Sequence, residues 1–296
     1  MTTTRNSKGQ IYLLTAVTIW GAAPVATFAL GKSFSSSWLF FLRLVPTAMA
    51  FLIVYLLRSI GQRKVVWPVR GGIGRTRALG YSLFGGVCYN LFISLALVTT
   101  SATIVGIVLT TEPVWIVFID SSFKRRLPSR RLIASLVVAI ASNVALLVGG
   151  SPSIKDANPG LGVIFATLAA LSWGVFTVLS ERWGAPAFDK SAQMALVSAP
   201  VALFVPLIFG GSHPKHIQLA NLGEIAIVSL GSNLVAMVSW IRGVGSGGSQ
   251  FAALFLYLQP IATIGLSAIF LHQSISLLTV VCLILVIASV INVTRG

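Results

Sequence analysis

The sequence predicts an all-α membrane protein with ten transmembrane helices, arranged as two inverted five-helix repeats. Three observations predict it. The chain of 296 residues is 56% hydrophobic and only 9% charged, with a mean hydropathy of +0.92; a soluble domain carries about a quarter charged residues. Ten apolar stretches approach the roughly 20 residues that cross a bilayer. And one segment occurs twice. Glu112-Pro113, followed by an apolar run and Ile140-Ala141-Ser142, reappears 147 positions later as Gln259-Pro260, an apolar run and Ile287-Ala288-Ser289.

The stretches lie near 10–30, 37–57, 77–98, 101–121, 131–149, 160–180, 190–209, 222–242, 249–271 and 275–293. The first carries Trp20-Gly21 and Pro24. Arg5 and Lys8 precede it, as in a signal peptide. Trp20-Gly21 recurs as Trp173-Gly174 in the sixth stretch, however, so the segment belongs to the repeat and is expected to be retained. The second holds Arg43 and Pro46, the third Tyr89 and Asn90, and the fourth Glu112 and Pro113. The seventh holds Pro200 and Pro206, the eighth Asn233, Ser239 and Trp240, and the ninth Tyr257, Gln259 and Pro260. Thr99-Thr100-Ser101-Ala102 and Ser246-Gly247-Gly248-Ser249, again 147 positions apart, are short links of small residues that fit tight helical hairpins.

The net charge of +15 and pI near 11 raise nucleic acid as a partner, but the charge is sorted by loop. With the N-terminus inside, inner segments hold 17 basic residues, while outer loops hold Lys32, Lys155 and Lys215 only. This asymmetry orients membrane proteins. It places both termini in the cytoplasm, in a multi-pass protein of the cell inner membrane. The cluster Lys124-Arg125-Arg126 with Arg130-Arg131 then reads as a topology determinant facing anionic lipid, and no nucleic-acid partner is expected.

Five spans per unit is odd, so residues 1–150 and 151–296 enter the membrane from opposite sides. Inverted repeats place a substrate site near the midplane between the halves, and access alternates as one half rocks against the other. Proline removes a backbone donor and kinks its helix, tolerated in lipid where neighbours or a cavity satisfy the freed carbonyls. The matched Pro113 and Pro260, with Pro24, are the candidate gating positions.

The plan resembles the drug/metabolite transporter superfamily, specifically its EamA-type exporters. Trp20-Gly21, Trp173-Gly174, Glu112-Pro113-Val114 and Gln259-Pro260 carry the resemblance over nearly the whole chain. Within the superfamily the chain looks most like bacterial aromatic amino-acid exporters. The resemblance implies export of small metabolites, and export rather than uptake rests on it alone. One feature departs from the family: where relatives often carry Gly-Glu after the motif proline, this chain has Arg126 and Gln273.

Ionisable groups deep in a membrane are costly and mark function. Glu112 and Arg43 are the two deep ones; Asp120 and Glu224 are expected near the interface. Glu112 either holds a substrate amine or pairs with Arg43. Arg43 either meets a substrate carboxylate or snorkels to the headgroups. Trp20 and Trp173 are too deep for an interfacial belt, where Trp38, Trp67 and Trp183 fit; they pack, or they wall an aromatic substrate. Tyr89, Asn90, Asn233, Ser239, Trp240, Tyr257 and Gln259 supply polar groups that must face the interior. These residues form the candidate substrate site.

Other signals carry less. Gly243-Val244-Gly245-Ser246-Gly247-Gly248 matches a dinucleotide fingerprint in letters but lacks the preceding strand. His213-Pro214-Lys215-His216 has no acid or cysteine beside it, and Asn292-Val293-Thr294 is a sequon at a cytoplasmic tail. Cys88 and Cys282 lie within spans. No catalytic constellation, metal or cofactor is expected, and the chain is expected to act as a monomer. The alternatives are efflux of cationic drugs and a non-transporting membrane scaffold.

Overall fold

A computed structural model describes residues 7–31, 33–68, 74–99, 102–149, 159–209, 219–270 and 277–294, and these are all-helical with no strand among them. Arg5, Lys32, Arg70, Thr100, Ser101, Lys155, His213, Lys215, His216, Gln273 and Arg295 lie outside the described residues. The helices are α1 (Ser7–Leu30), α2 (Ser36–Gln62), α3 (Arg75–Ser82), α4 (Tyr89–Thr99), α5 (Ala102–Leu109), α6 (Glu112–Lys124), α7 (Arg130–Gly149), α8 (Pro159–Arg182), α9 (Ala187–Phe209), α10 (Leu219–Ala226), α11 (Met237–Gly247), α12 (Ser249–Phe255), α13 (Gln259–Phe270) and α14 (Leu277–Thr294).

Seven helical stretches among the described residues are long and apolar enough to cross a membrane: Ser7–Thr27, Ser37–Gln62, Arg75–Ala96, Gly160–Arg182, Ala187–Ile208, Asn221–Gly247 and Ser249–Phe270. The expected spans near 101–121, 131–149 and 275–293 contain α5, α6, α7 and α14 but fall outside that set. In the first of them the helix is interrupted at Thr110-Thr111.

Irregular backbone sits at matched places. α3 and α4 are joined by a π-helical segment, Leu83–Cys88, and α10 and α11 by another, Ile227–Ala236. Shifted by 147 positions, the first falls within the second. Wide turns of this kind leave carbonyls for side chains to satisfy. Asn90 Nδ2 donates to Gly86 O at 2.7 Å, and Asn233 Nδ2 to Val228 O at 2.9 Å. Likewise, α5 breaks just before Glu112-Pro113, and a 3₁₀ turn, Leu256–Leu258, precedes Gln259-Pro260. Pro113 sits in the first turn of α6, where its missing N–H has no partner to lose.

The packing is reciprocal. α2 packs on α9 and α7 on α14; α1 packs on α11 and α13, and α8 on α4 and α6. Exchanging each helix for its repeat-related counterpart reproduces the same set of pairs. Small residues permit the closest crossings. A Cβ added at Gly21 of α1 would sit 2.4 Å from Ala262 Cβ of α13, and one at Gly174 of α8 would sit 3.1 Å from Trp115 Cβ of α6. The glycine after each repeated tryptophan is therefore what lets the two helices meet. The link between α11 and α12 is the single residue Gly248, with φ +82°.

Polar groups at the helix ends find partners. Tyr55 donates to Asp189, and Lys190 Nζ donates to Ser180 O at 2.6 Å. Asp120 is fully buried within the protein and pairs with Lys124 at 2.9 Å. One expectation is corrected here. Trp183 is 1% exposed and packs on Tyr81 and Ala78, not in a lipid-facing belt.

Candidate functional site

The two helix breaks face each other across a cavity of about 420 Å³. The first half contributes Pro24 from α1, Tyr89 from α4, Gly106 and Leu109 from α5, Thr110, and Glu112 and Pro113 from α6. The second contributes Leu256 and Tyr257 from the 3₁₀ turn and Gln259, Pro260, Thr263 and Ile264 from α13. Glu112 and Gln259 open repeat-related helices, so the pseudo-symmetric pair brings one acid and one amide to the same cavity. The wall is mostly apolar with a few placed polar groups, the usual composition of a small-molecule site.

Beneath it lies an aromatic cluster drawn from both halves. Trp20 (α1) and Trp173 (α8) meet edge to face at 5.4 Å between ring centroids. Trp240 (α11) stands 5.5 Å from Trp20 and 6.0 Å from Trp173. Tyr89 lies 5.0 Å from Trp173 and so links the cluster to the cavity wall. Trp20 Nε1 donates to Ser232 O at 3.0 Å, inside the second π-helical segment. Trp173 Nε1, Trp240 Nε1 and Tyr257 OH are buried, and none has a hydrogen-bond partner among the described residues.

The charges are arranged around Tyr89. Glu112 is buried at 7% exposure, and its Oε1 has no hydrogen-bond partner among the described residues. Tyr89 and Glu112 line the same cavity and interact electrostatically. Arg43 of α2 interacts electrostatically with the same tyrosine, and its Nε is buried without a hydrogen-bond partner among the described residues. Arg43 thus turns inward rather than toward the headgroups. It makes no ion pair with Glu112. An unpaired buried charge costs several kcal/mol. Two ionisable groups of opposite type that both interact with one tyrosine, and not with each other, can be satisfied together by a molecule carrying both charges.

Of the residues singled out in the sequence, Pro24, Tyr89, Glu112, Pro113, Tyr257, Gln259 and Pro260 line the cavity, and Trp20, Trp173 and Trp240 form the cluster beside it. Asn90, Asn233 and Ser239 are buried but do not line it. Asn233 instead ties α2 to the π-helical segment, donating to Arg43 O at 3.1 Å as well as to Val228 O. Sequence reasoning missed Gly106, Leu109, Thr110, Leu256, Thr263 and Ile264 of the wall. Their chemistry does not distinguish them from other apolar-span residues; their spacing about the two motif prolines does. No cluster of metal-ligating side chains occurs among the described residues.

Comparison with known proteins adds three findings. The model of the EamA-like transporter family matches residues 7–148 and 160–295. "Protein PecM" of Dickeya dadantii (strain 3937) is 24% identical over 149 residues; the aligned region spans about half of each chain, 48% of this one and 48% of that relative. A protein of known crystal structure superposes with a TM-score of 0.79 over 98% of this chain and 97% of its own, at 20% identity, a likeness of fold alone.

Proposed function

Because the chain belongs to the EamA-like transporter family and is a multi-pass membrane transporter, we propose that it exports small amphipathic metabolites, foremost amino acids with aromatic or hydrophobic side chains, by alternating access through the cavity between its halves. In this reading residues 1–150 and 151–296 are inverted five-helix repeats, ten stretches cross the cell inner membrane, and both termini face the cytoplasm. The sorting of basic residues among the loops supports that orientation.

The observation that carries the reading is the unpaired pair of opposite charges at Tyr89. A zwitterion fits it: the substrate ammonium meets Glu112, the carboxylate lies toward Arg43, and the side chain rests on Tyr89 and Trp173. The matched prolines, Pro113 and Pro260, sit where the two broken helices bend as the halves rock. Gln259 offers a neutral hydrogen-bonding group where Glu112 offers a charge.

Reconstituted protein is expected to carry labelled tryptophan or phenylalanine into liposomes above the level of empty vesicles. Glu112→Gln and Arg43→Gln should each raise KM by about tenfold, the scale of one charged hydrogen bond of 1.5 kcal/mol or so. No transport of any member of a broad amino-acid panel overturns the reading. A lone buried acid among aromatic rings also favours a second reading, efflux of organic cations. Uptake of such cations that is unharmed by Arg43→Gln would select it.

A further inference from the structure

Opposite the cavity the halves are tied by a polar latch. Lys124, at the end of α6, pairs with Glu181 at the end of α8 at 3.5 Å, while also pairing with Asp120 on its own helix. Glu181 Oε2 accepts the backbone N–H of Ser249, the first residue of α12, at 2.9 Å. Next to it, Gln250 Nε2 donates to Ser121 Oγ at 3.0 Å. Lys124 and Ser121 come from the first half, the other partners from the second. Lys124 and Glu112 occupy opposite ends of α6, about 18 Å apart at 1.5 Å per residue. The tryptophan cluster lies between α6, α8 and α11 along that length.

The repeat sharpens the point. The counterparts of Lys124, Glu181 and Ser121 in the opposite half are Leu271, Phe28 and Ala268. None of these side chains can make an ion pair or a hydrogen bond. The ion pair thus has no charged counterpart in the other repeat, although Asp120 and Gln250 correspond to the polar Ser267 and Thr103.

We propose that this asymmetric latch sets the resting state: it holds one face closed, leaves the cavity open toward the other, and breaks each time the halves rock. The cross-half contacts Lys124–Glu181 and Gln250–Ser121 must part for substrate to enter from the latched side. The inference rests on the alternating-access reading but not on the identity of the substrate.

Cysteine accessibility tests it, in a background with Cys88→Ala and Cys282→Ala. One reporter is Thr263→Cys on the cavity wall; the other is Thr177→Cys, fully buried one turn before Glu181 on α8. Labelling rates with a membrane-impermeant maleimide are read in right-side-out and inside-out vesicles without substrate. Glu181→Gln is expected to slow labelling at position 263 and speed it at position 177, each by about threefold, the scale of one partly exposed ion pair. Gln250→Ala, which removes the second cross-half contact, should act in the same direction. Unchanged rates, or shifts of opposite sign, overturn the latch. Should Glu181→Gln fail to insert, Gln250→Ala decides the matter, because it removes a cross-half contact while leaving the buried Asp120 paired with Lys124. Shifted labelling with no amino-acid transport sinks the substrate reading and leaves the latch standing.

Discussion

Tyr89 and Trp173 lie 5.0 Å apart, ring centroid to ring centroid, and belong to different halves of the chain. Tyr89 borders the cavity beside Glu112, while Trp173 sits at the centre of the aromatic cluster. A shift of one half relative to the other therefore changes the cavity wall directly. Trp173→Ala removes ring contacts worth about 0.5–1.5 kcal/mol each beyond area burial. We expect transport of aromatic substrates to fall at least about tenfold while membrane insertion persists, with Trp173→Phe intermediate. Initial uptake rates in proteoliposomes, set against yield in the membrane fraction, check this. Unchanged uptake in Trp173→Ala assigns the ring to packing alone.

Glu112 and Gln259 occupy equivalent positions on α6 and α13 and line the same cavity. Exchanging them, Glu112→Gln with Gln259→Glu, moves the single acid from α6 to α13 without changing composition. Arg43 and Tyr89 stay in the first half, so the acid no longer belongs to the same half as they do. We expect the exchanged protein to behave like Glu112→Gln alone, with affinity lowered by about tenfold, the scale of a charged hydrogen bond. Recovery of affinity close to the unmodified protein in competition assays would show that position relative to Arg43 is irrelevant.

The crossing of α1 and α13 at Gly21 leaves no room for a methyl group. Its Cβ would also lie 3.0 Å from the backbone nitrogen of Thr263, which cannot swing aside. Gly21→Ala should cost about 1–3 kcal/mol, as overpacking does, and lower the thermal unfolding midpoint in detergent. Gly245→Ala meets nothing within 4 Å. It should be neutral or stabilising by up to about 1 kcal/mol, because alanine suits a helix interior better than glycine. Equal effects of the two substitutions would refute the close-crossing account.

Gly248 turns the chain between α11 and α12 in a single residue at φ +82°, ψ 159°. That region is essentially closed to residues with a Cβ. Gly248→Ala should destabilise by about 1–3 kcal/mol through backbone strain, although its Cβ would find Glu181 Oε1 no nearer than 3.8 Å. Unfolding midpoints again provide the measure, with Gly247→Ser unsuitable as a control because that Cβ collides with the Phe251 ring at 2.6 Å.

Much of the site was legible because it is written twice. Pro113 and Pro260 announce their helix breaks by removing a donor, and Glu112 stands out because an ionisable group within an apolar run is rare. Periodic landmarks also bring Trp20 and Trp173 into correspondence. What could not be read depends on direction and distance. Arg43 can extend to headgroups or turn inward, and only its buried Nε and its interaction with Tyr89 show which. The π-helical segments carry no proline, so nothing in composition marks them. Asp120 looked interfacial by its count from the span end. Its partner Lys124 on the next turn of the same helix allows its burial.

The reciprocal packing also bears on how the protein is made. α1 leaves the ribosome first, yet its buried residues Leu13, Ala16 and Val17 face α11 and α13, which are synthesised more than 200 residues later. At ordinary elongation rates α1 waits on the order of ten seconds or more for its partners. Through that interval Gly21 and Trp20 lack the neighbours they have in the folded chain. The helices made first are thus not a finished body to which the later ones are added; α1 gains its packing only when α11 and α13 arrive.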